Sequence, residues 1–208
     1  MSSYALSQDL HGLPPAKYSL GFTTGASLIY ESVVVAKLYT ALRDWAEVRA
    51  QVLNDNSFQS RTQSSLKKLY SEVARRLRHL NADQLNCLST GDASQQKAMV
   101  WLAICRQYGL IRDFALEVIV FQFDTGRHLL THQDYDAFFF AKAEWHKNLD
   151  EASSQTKSKA RQVLFKMMRE CGLLNDAGEI QNQFLSDSLM LTIGHDERNH
   201  LLLFPLTR

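Results

Sequence analysis

The segment SRTQSSLKKLYSEVARRLRHL, Ser60 to Leu80, carries apolar residues at Leu66, Leu69, Tyr70, Val73, Ala74, Leu77 and Leu80. Steps of three and four put all of them on one stripe of a 3.6-residue helix. Thr62 is placed to cap that helix, because a hydroxyl there accepts an amide proton of the first turn. Arg61, Ser64, Lys68, Ser71 and Arg75 fall on the opposite face, with Lys67, Arg76 and Arg78 on its flanks. From Ser57 to His79 six Lys/Arg meet one acid, Glu72, a local balance of +5 in a chain whose net charge is +1. A helix with one buried stripe and one cationic face suits a polyanion, and nucleic acid is the first candidate. A solvated charged face is the commoner fate of surface helices in general. Here the lead-in FQSRTQSS, Phe58 to Ser65, adds short polar donors where such a helix would meet a groove.

Upstream, Asp44 is a cap for the predicted helix WAEVRAQVLND, with Trp45, Val48, Val52 and Leu53 inward, and Asn54-Asp55-Asn56-Ser57 is a turn by its chemistry. Two helices joined by a short polar turn, the second one basic, form the helix-turn-helix pattern. Before them GFTTGASLIYESVVVAKLYTAL offers Thr23 or Thr24 as the cap of a long apolar helix to about Leu42. Gly21 and Gly25 are not followed by the Lys of a phosphate loop, so helix entry is the better reading. Residues 1–20 read as an irregular arm, since Pro14 and Pro15 forbid a helix through them.

Asn81 and Asp83 start a short helix to Leu88, and Ser89-Thr90-Gly91-Asp92 breaks it. The expected boundary falls there, between an N-terminal helix-turn-helix domain (1–90) and a C-terminal helical domain (91–208). Asp92 caps ASQQKAMVWLAICRQY, with Met99, Leu102, Ala103 and Tyr108 on its apolar face and Gly109 as the residue after its end. DFALEVIVFQF is apolar almost all round and belongs at the centre of the second half. Thr131 and Asp134 form a capping box that opens YDAFFFAKAEWHKNL. Trp45, Trp101, Trp145, Phe138, Phe139 and Phe140 are expected in the core, with Phe139 the alternative exposed contact because three adjacent helical residues cannot share one side.

In TKSKARQVLFKMMREC one face holds Ala160, Val163, Leu164, Met167, Met168 and Cys171, and Lys159, Arg161, Lys166 and Arg169 lie elsewhere. Gly172 ends the helix, and Asn175-Asp176-Ala177-Gly178 reads as a turn between two short strands. A basic helix followed by a hairpin is the order of a winged helix-turn-helix. Residues 142–170 balance at +3, so this is a second and weaker nucleic-acid signal. Beyond Ser186 the sequence predicts one more short helix at most and a solvated GHDERNH segment.

The chemistry of an enzyme is not legible. His128 and His132 stand four apart near Asp134 and Asp136, but no Glu sits inside the motif and the segment reads as a loop entering a cap. His195, Asp196 and His200 are as loosely spaced. There is no GxSxG elbow, and Cys87, Cys105 and Cys171 form no CxxC pair and sit in apolar helical contexts as reduced core thiols. A 208-residue chain with 45% hydrophobic and 22% charged residues is of ordinary globular composition. With no signal-like N-terminus and no apolar run of about 20 residues, the expectation is a cytoplasmic, non-catalytic protein without cofactor or metal.

With these residues in view, the chain resembles the BrxA family, a small component of BREX phage-defence systems. The likeness is carried by YSLGFTTGASLIYESVVVAKLY (Tyr18 to Tyr39), by the block from Asp44 through LNDNSFQSRTQSS to Ser65, by EVARRL (Glu72 to Leu77) and, more loosely, by KSKARQVLFKMMRECGLL. It spans about Tyr18 to Leu174, and none of its motifs is catalytic. The resemblance implies an all-helical protein of helix-turn-helix character that binds double-stranded DNA beside other BREX subunits; a likeness to the RNA-binding factor NusB has also been drawn for the family. The expectation is thus an all-α DNA-binding protein. Arg61, Lys67, Lys68, Arg75, Arg76 and Arg78 would meet phosphates, helped by Thr62 and Ser71, with Gln59, Gln63 and Ser64 near base edges. Lys159, Arg161, Lys166 and Arg169 would be accessory. RNA binding and docking of an acidic protein partner are the alternatives.

Overall fold

In this computed structural model, which describes residues 18–194 and 198–207, the short polar side chains ahead of the apolar runs are spent on helix starts. Among the longer helices, α1 (Ile29–Leu42) is an exception, with no side-chain cap. Thr23 and Thr24, expected to cap it, instead close a 3-10 turn, Gly21–Thr24. The reason is tertiary: Arg76 and Glu170 grip the backbone at Ala26 and Ser27. The helix therefore begins after Leu28, which is held in the left-handed region at φ 57°. Asp44 caps α2 (Trp45–Asn54) by accepting from the amides of Ala46 and Glu47. Thr62 caps α3 (Gln63–Leu77) from the Ser65 amide. Capping boxes open α4 (Ala82–Thr90) at Asn81 and Gln84, and α5 (Ala93–Gln107) at Asp92 and Gln95.

α5 ends at Gln107 with Tyr108 as its cap, so Gly109 sits just past its end as expected, but the chain does not leave helical structure for long. Tyr108 leaves helical geometry (φ −120°, ψ 102°), and its carbonyl then accepts from the Ile111 and Arg112 amides, both at 3.0 Å. A new helix, α6 (Gly109–Phe114), thus starts at once and runs on through a π-helical stretch, Ala115–Val120, into α7 (Phe121–Asp124). Leu110, Ile111, Phe114, Ala115 and Ile119 are fully buried, as an all-round apolar helix requires. Thr131 and Asp134 box the start of α8 (His132–Ala143). The short α9 (Lys147–Asp150) and α10 (Ser154–Glu170) follow, and Gly172, at φ 80°, takes the left-handed conformation that turns the chain out of α10.

The fold is all-helical, with no regular strand among the described residues. α1 lies against α2, α3, α4 and α5, and α10 packs on α8 and on the 3-10 turn at Gly21. The expected break at 89–92 is the turn between α4 and α5, two helices in contact. The Asn175–Gly178 turn closes on isolated bridges, Leu174 with Ile180 and Leu129 with Glu179. Its backbone is fastened to the loop before α8: Leu130 N–H donates to Gly178 O at 2.9 Å and Ile180 N–H to His128 O at 2.7 Å.

Two expectations about burial need correction. Phe139 is buried, while Phe140 and Trp145 are 61% and 82% exposed, because successive helical residues point about 100° apart and Trp145 lies beyond the end of α8. The described C-terminal residues on either side of 195–197 are docked against the rest of the fold, with His200 buried. α11 (Asp187–Gly194) and a 3-10 turn, Arg198–Leu203, bury Leu189, Ile193, His200, Leu203 and Phe204. Trp101 Nε1 donates to the Leu203 carbonyl at 3.0 Å, and Gln84 Nε2 to that of Thr192 at 3.0 Å. His195, Asp196 and the proline pair lie outside the described residues. No helix is long and apolar enough to cross a membrane among the described residues.

Trp101 and Trp145 should therefore behave oppositely. Trp101→Ala removes a fully buried side chain and should cost about 3–5 kcal/mol, read by urea unfolding. Trp145→Ala should stay within about 0.5 kcal/mol of the parent.

Candidate nucleic-acid interface

The rotation of α3 about its own axis decides which of its cations meet solvent. Leu66, Tyr70, Val73, Ala74 and Leu77 are buried, and Leu69 is partly so. Glu72, the one acid among the six cations of this segment, is buried with them. Its Oε1 accepts from Arg76 Nε at 2.8 Å and from the Tyr108 hydroxyl, and its Oε2 accepts from Arg75 Nη2. Spacings of three and four carry both arginines to the same carboxylate. Burial, followed by the neighbouring carboxylate, pushes the Tyr108 hydroxyl up to about 12, so it remains a donor.

Arg76 is thereby removed from the interface. It is 1% exposed, and its Nη1 donates to the carbonyls of Ala26 at 2.9 Å and Ser27 at 3.0 Å. A guanidinium enclosed in this way holds the entry to α1 and meets no phosphate. Arg75 is 50% exposed and shares its charge with Glu72, while its Nη2 also donates to Tyr108 Oη at 3.1 Å. Arg61, Lys67, Lys68 and Arg78 are exposed and without an ion pair among the described residues. These four, with Arg75 beside them, form the cationic face.

The polar residues of the lead-in are exposed as well, though several are engaged. Thr62 is occupied by its cap, Gln63 Nε2 reaches the Leu53 carbonyl at 3.4 Å, and Ser71 Oγ donates to the Lys67 carbonyl at 2.8 Å. Gln59 and Ser64 are exposed. The linker is pinned, with Ser60 N–H donating to Asn56 Oδ1 at 2.9 Å and Asn56 Nδ2 to the Ser60 carbonyl at 3.0 Å. Gln59, between them, sits at φ 51°.

The second basic helix retains less free charge than its count suggests. Arg161 pairs with Asp136 at 2.5 Å, and Lys166 lies 3.6 Å from Glu170. Lys159 and Arg169 stay exposed and without an ion pair among the described residues. Glu170 also accepts from the Ser27 amide at 2.9 Å and from its hydroxyl, and so grips the loop that Arg76 holds.

Among the described residues, the other sequence candidates do not converge on a site. The His128 ring packs against Phe123 and the His132 ring edge-on against Phe165, with centroids 5.2 and 4.8 Å apart. No group of three His, Cys, Asp or Glu side chains is arranged to hold a metal among the described residues. Burial pushes the Cys87 and Cys105 thiols up and that of Cys171 to about 12, which disfavours the nucleophilic thiolate.

Fold and face together define a class: an all-helical protein presenting one amphipathic helix whose solvent side is cationic. The chain belongs to the BrxA family, whose model matches residues 16–196. It is similar to a BREX protein BrxA of Bacillus cereus (strain H3081.97), 29% identical over 130 residues that cover 62% of this chain and 65% of that protein. The chain thus spans a little under two thirds of that relative. It also shares its fold with the crystal structure of an uncharacterized protein from Magnetospirillum magneticum. That match has a TM-score of 0.78 and 17% identity, and covers 91% of this chain and 98% of that one.

The two kinds of arginine and lysine separate in an unfolding experiment. Lys67→Glu with Lys68→Glu alters exposed side chains and should shift stability by less than about 1 kcal/mol. Arg76→Ala leaves the buried Glu72 carboxylate without one of its two cations and should cost about 3 kcal/mol in urea.

Proposed function

We propose that this protein is a non-catalytic, double-stranded-DNA-binding component of a BREX-type phage-defence system, acting beside other BREX subunits. The observation that carries the reading is the one-sidedness of α3. Its acid is turned inward, while Arg61, Lys67, Lys68 and Arg78 stay outside without acidic partners among the described residues. Such a face neutralises phosphates and releases counterions, which gives affinity with little dependence on sequence. Base readout would fall to Gln59, Gln63 and Ser64, so weak sequence preference follows. Lys159 and Arg169 would add an accessory contact weaker than that of α3, and the docked Asn175–Gly178 turn would serve in place of a projecting wing. A NusB-like RNA contact would use the same face. An adaptor role would instead turn the same basic helix toward the acidic surface of a protein partner.

Titration of a short random duplex over a range of sodium chloride concentrations separates these readings. The DNA reading expects log affinity to fall linearly with log salt, and Lys67→Glu with Lys68→Glu to weaken binding at least tenfold. Lys159→Ala with Arg169→Ala should weaken it less. A folded protein that ignores duplex DNA at low salt, or prefers duplex RNA under the same conditions, would remove the assignment.

A further inference from the structure

The cationic surface continues beyond α3 onto α2, at a place the sequence does not advertise. Trp45 opens α2, and its ring stacks on Tyr39 of α1 with centroids 4.2 Å apart and planes 24° from parallel. The Arg78 guanidinium carbon lies 5.3 Å from the centre of the same indole. Tyr70 of α3 ties the two helices together, its hydroxyl donating to the Trp45 carbonyl at 3.0 Å. Arg49 follows Trp45 by four residues on α2 and so projects from the same face of that helix; burial pushes the Tyr70 hydroxyl up, and the charges of Arg78 and Arg49 oppose that push. Two exposed guanidinium groups thus belong to one seam, Arg78 over the Trp45 ring and Arg49 one turn further along α2, and neither has an ion pair among the described residues. Asp44, the acid adjacent to Trp45, is spent on the amides of Ala46 and Glu47, at 2.6 and 3.1 Å.

Neighbouring cations that form no ion pair with the acids beside them, Asp44 and Glu47, attract an anion. The chemistry suits a phosphodiester. A guanidinium resting over an indole keeps its N–H edge free, and a flat fork of donors matches two phosphate oxygens. Arg78 is also ordered before any ligand arrives, which lowers the entropic cost of the contact.

We propose that Arg49 and Arg78, gathered at the α2–α3 seam by Trp45 and Tyr70, form a second phosphate-contact site, with Trp45 as the positioning residue for Arg78. The inference rests on the DNA reading above and adds α2 to the contact surface. The bland alternative leaves Arg49 solvated and gives Arg78 only the task of facing the C-terminal end of the α3 dipole.

Salt titration with a random duplex tests it on the full chain. Arg49→Ala with Arg78→Ala should lower the log–log salt slope by about two, one for each lost phosphate contact. Arg49→Lys with Arg78→Lys should keep the slope and lose affinity, because lysine keeps the charge without the fork. Trp45→Leu should weaken binding with the slope unchanged, Trp45→Phe should restore it, and Trp45→Leu should add nothing in an Arg78→Ala background. Thermal unfolding of each variant shows that the fold survives. If the double alanine variant keeps the parental slope while Lys67→Glu with Lys68→Glu abolishes binding, the seam is not a contact and the DNA reading stands. If the parent shows no salt-dependent binding to duplex DNA, both fall.

Discussion

The buried pairing of Glu72 with Arg76 is the constraint from which the surface of this protein follows. A carboxylate and a guanidinium leave water together at high desolvation cost, which their mutual attraction offsets only with good geometry and further hydrogen bonds. Tyr108, Arg75 and the carbonyls of Ala26 and Ser27 supply those bonds. The pair turns α3 about its axis until Glu72 faces inward, and a helix so turned must show Lys67, Lys68 and Arg78 to solvent. The same contact fixes the entry to α1. Between Arg76 from α3 and Glu170 from α10, the Ala26–Ser27 backbone is held so firmly that Leu28 accepts a left-handed conformation that L side chains seldom take.

Cations in this chain accordingly fall into two populations. Arg76 and Arg161 are tied to acids, Arg106 is hydrogen-bonded to Gln84 and the His79 carbonyl, and Lys142 is tied to Glu117; all four serve the packing of helices. Arg61, Lys67, Lys68, Arg49 and Arg78 are exposed, and their field is screened over roughly 10 Å at moderate salt. A chain of net charge +1 has no global attraction for a polyanion, so function of that kind depends on the second group being concentrated on one surface. Membership of the BrxA family fits a role in phage defence without naming any reacting group.

Much of the architecture was legible because its signals are local. A capping hydroxyl or carboxylate acts over three residues, and Asp44, Thr62, Asn81, Asp92 and Thr131 all cap the helices their positions announce. Apolar periodicity likewise identified the buried faces of α3 and α10. The errors lie where distant chain segments compete with local preference. Thr23 and Thr24 lost the start of α1 to a grip exerted from α3 and α10. Gly109 follows the end of α5 as expected but also opens a further helix that was not foreseen, and the turn at Asn175 is drawn onto the loop at His128. The C-terminal residues are buried because α4 and α5 offer a surface that composition alone does not reveal.

By itself, the sequence determined the helical class, the starts of α2, α3, α4, α5 and α8 and the existence of a strongly basic amphipathic helix, since each depends on interactions within a few residues. It did not determine which basic side chains are available. Arg75, Arg76 and Arg78 lie within four positions of one another, yet one is half-exposed and paired, one enclosed, and one laid over an indole. Those fates were set by Glu72, Tyr108 and Trp45. Ion pairing and cation–π contact depend on distances in space, and only the packed tertiary structure brings those partners within reach.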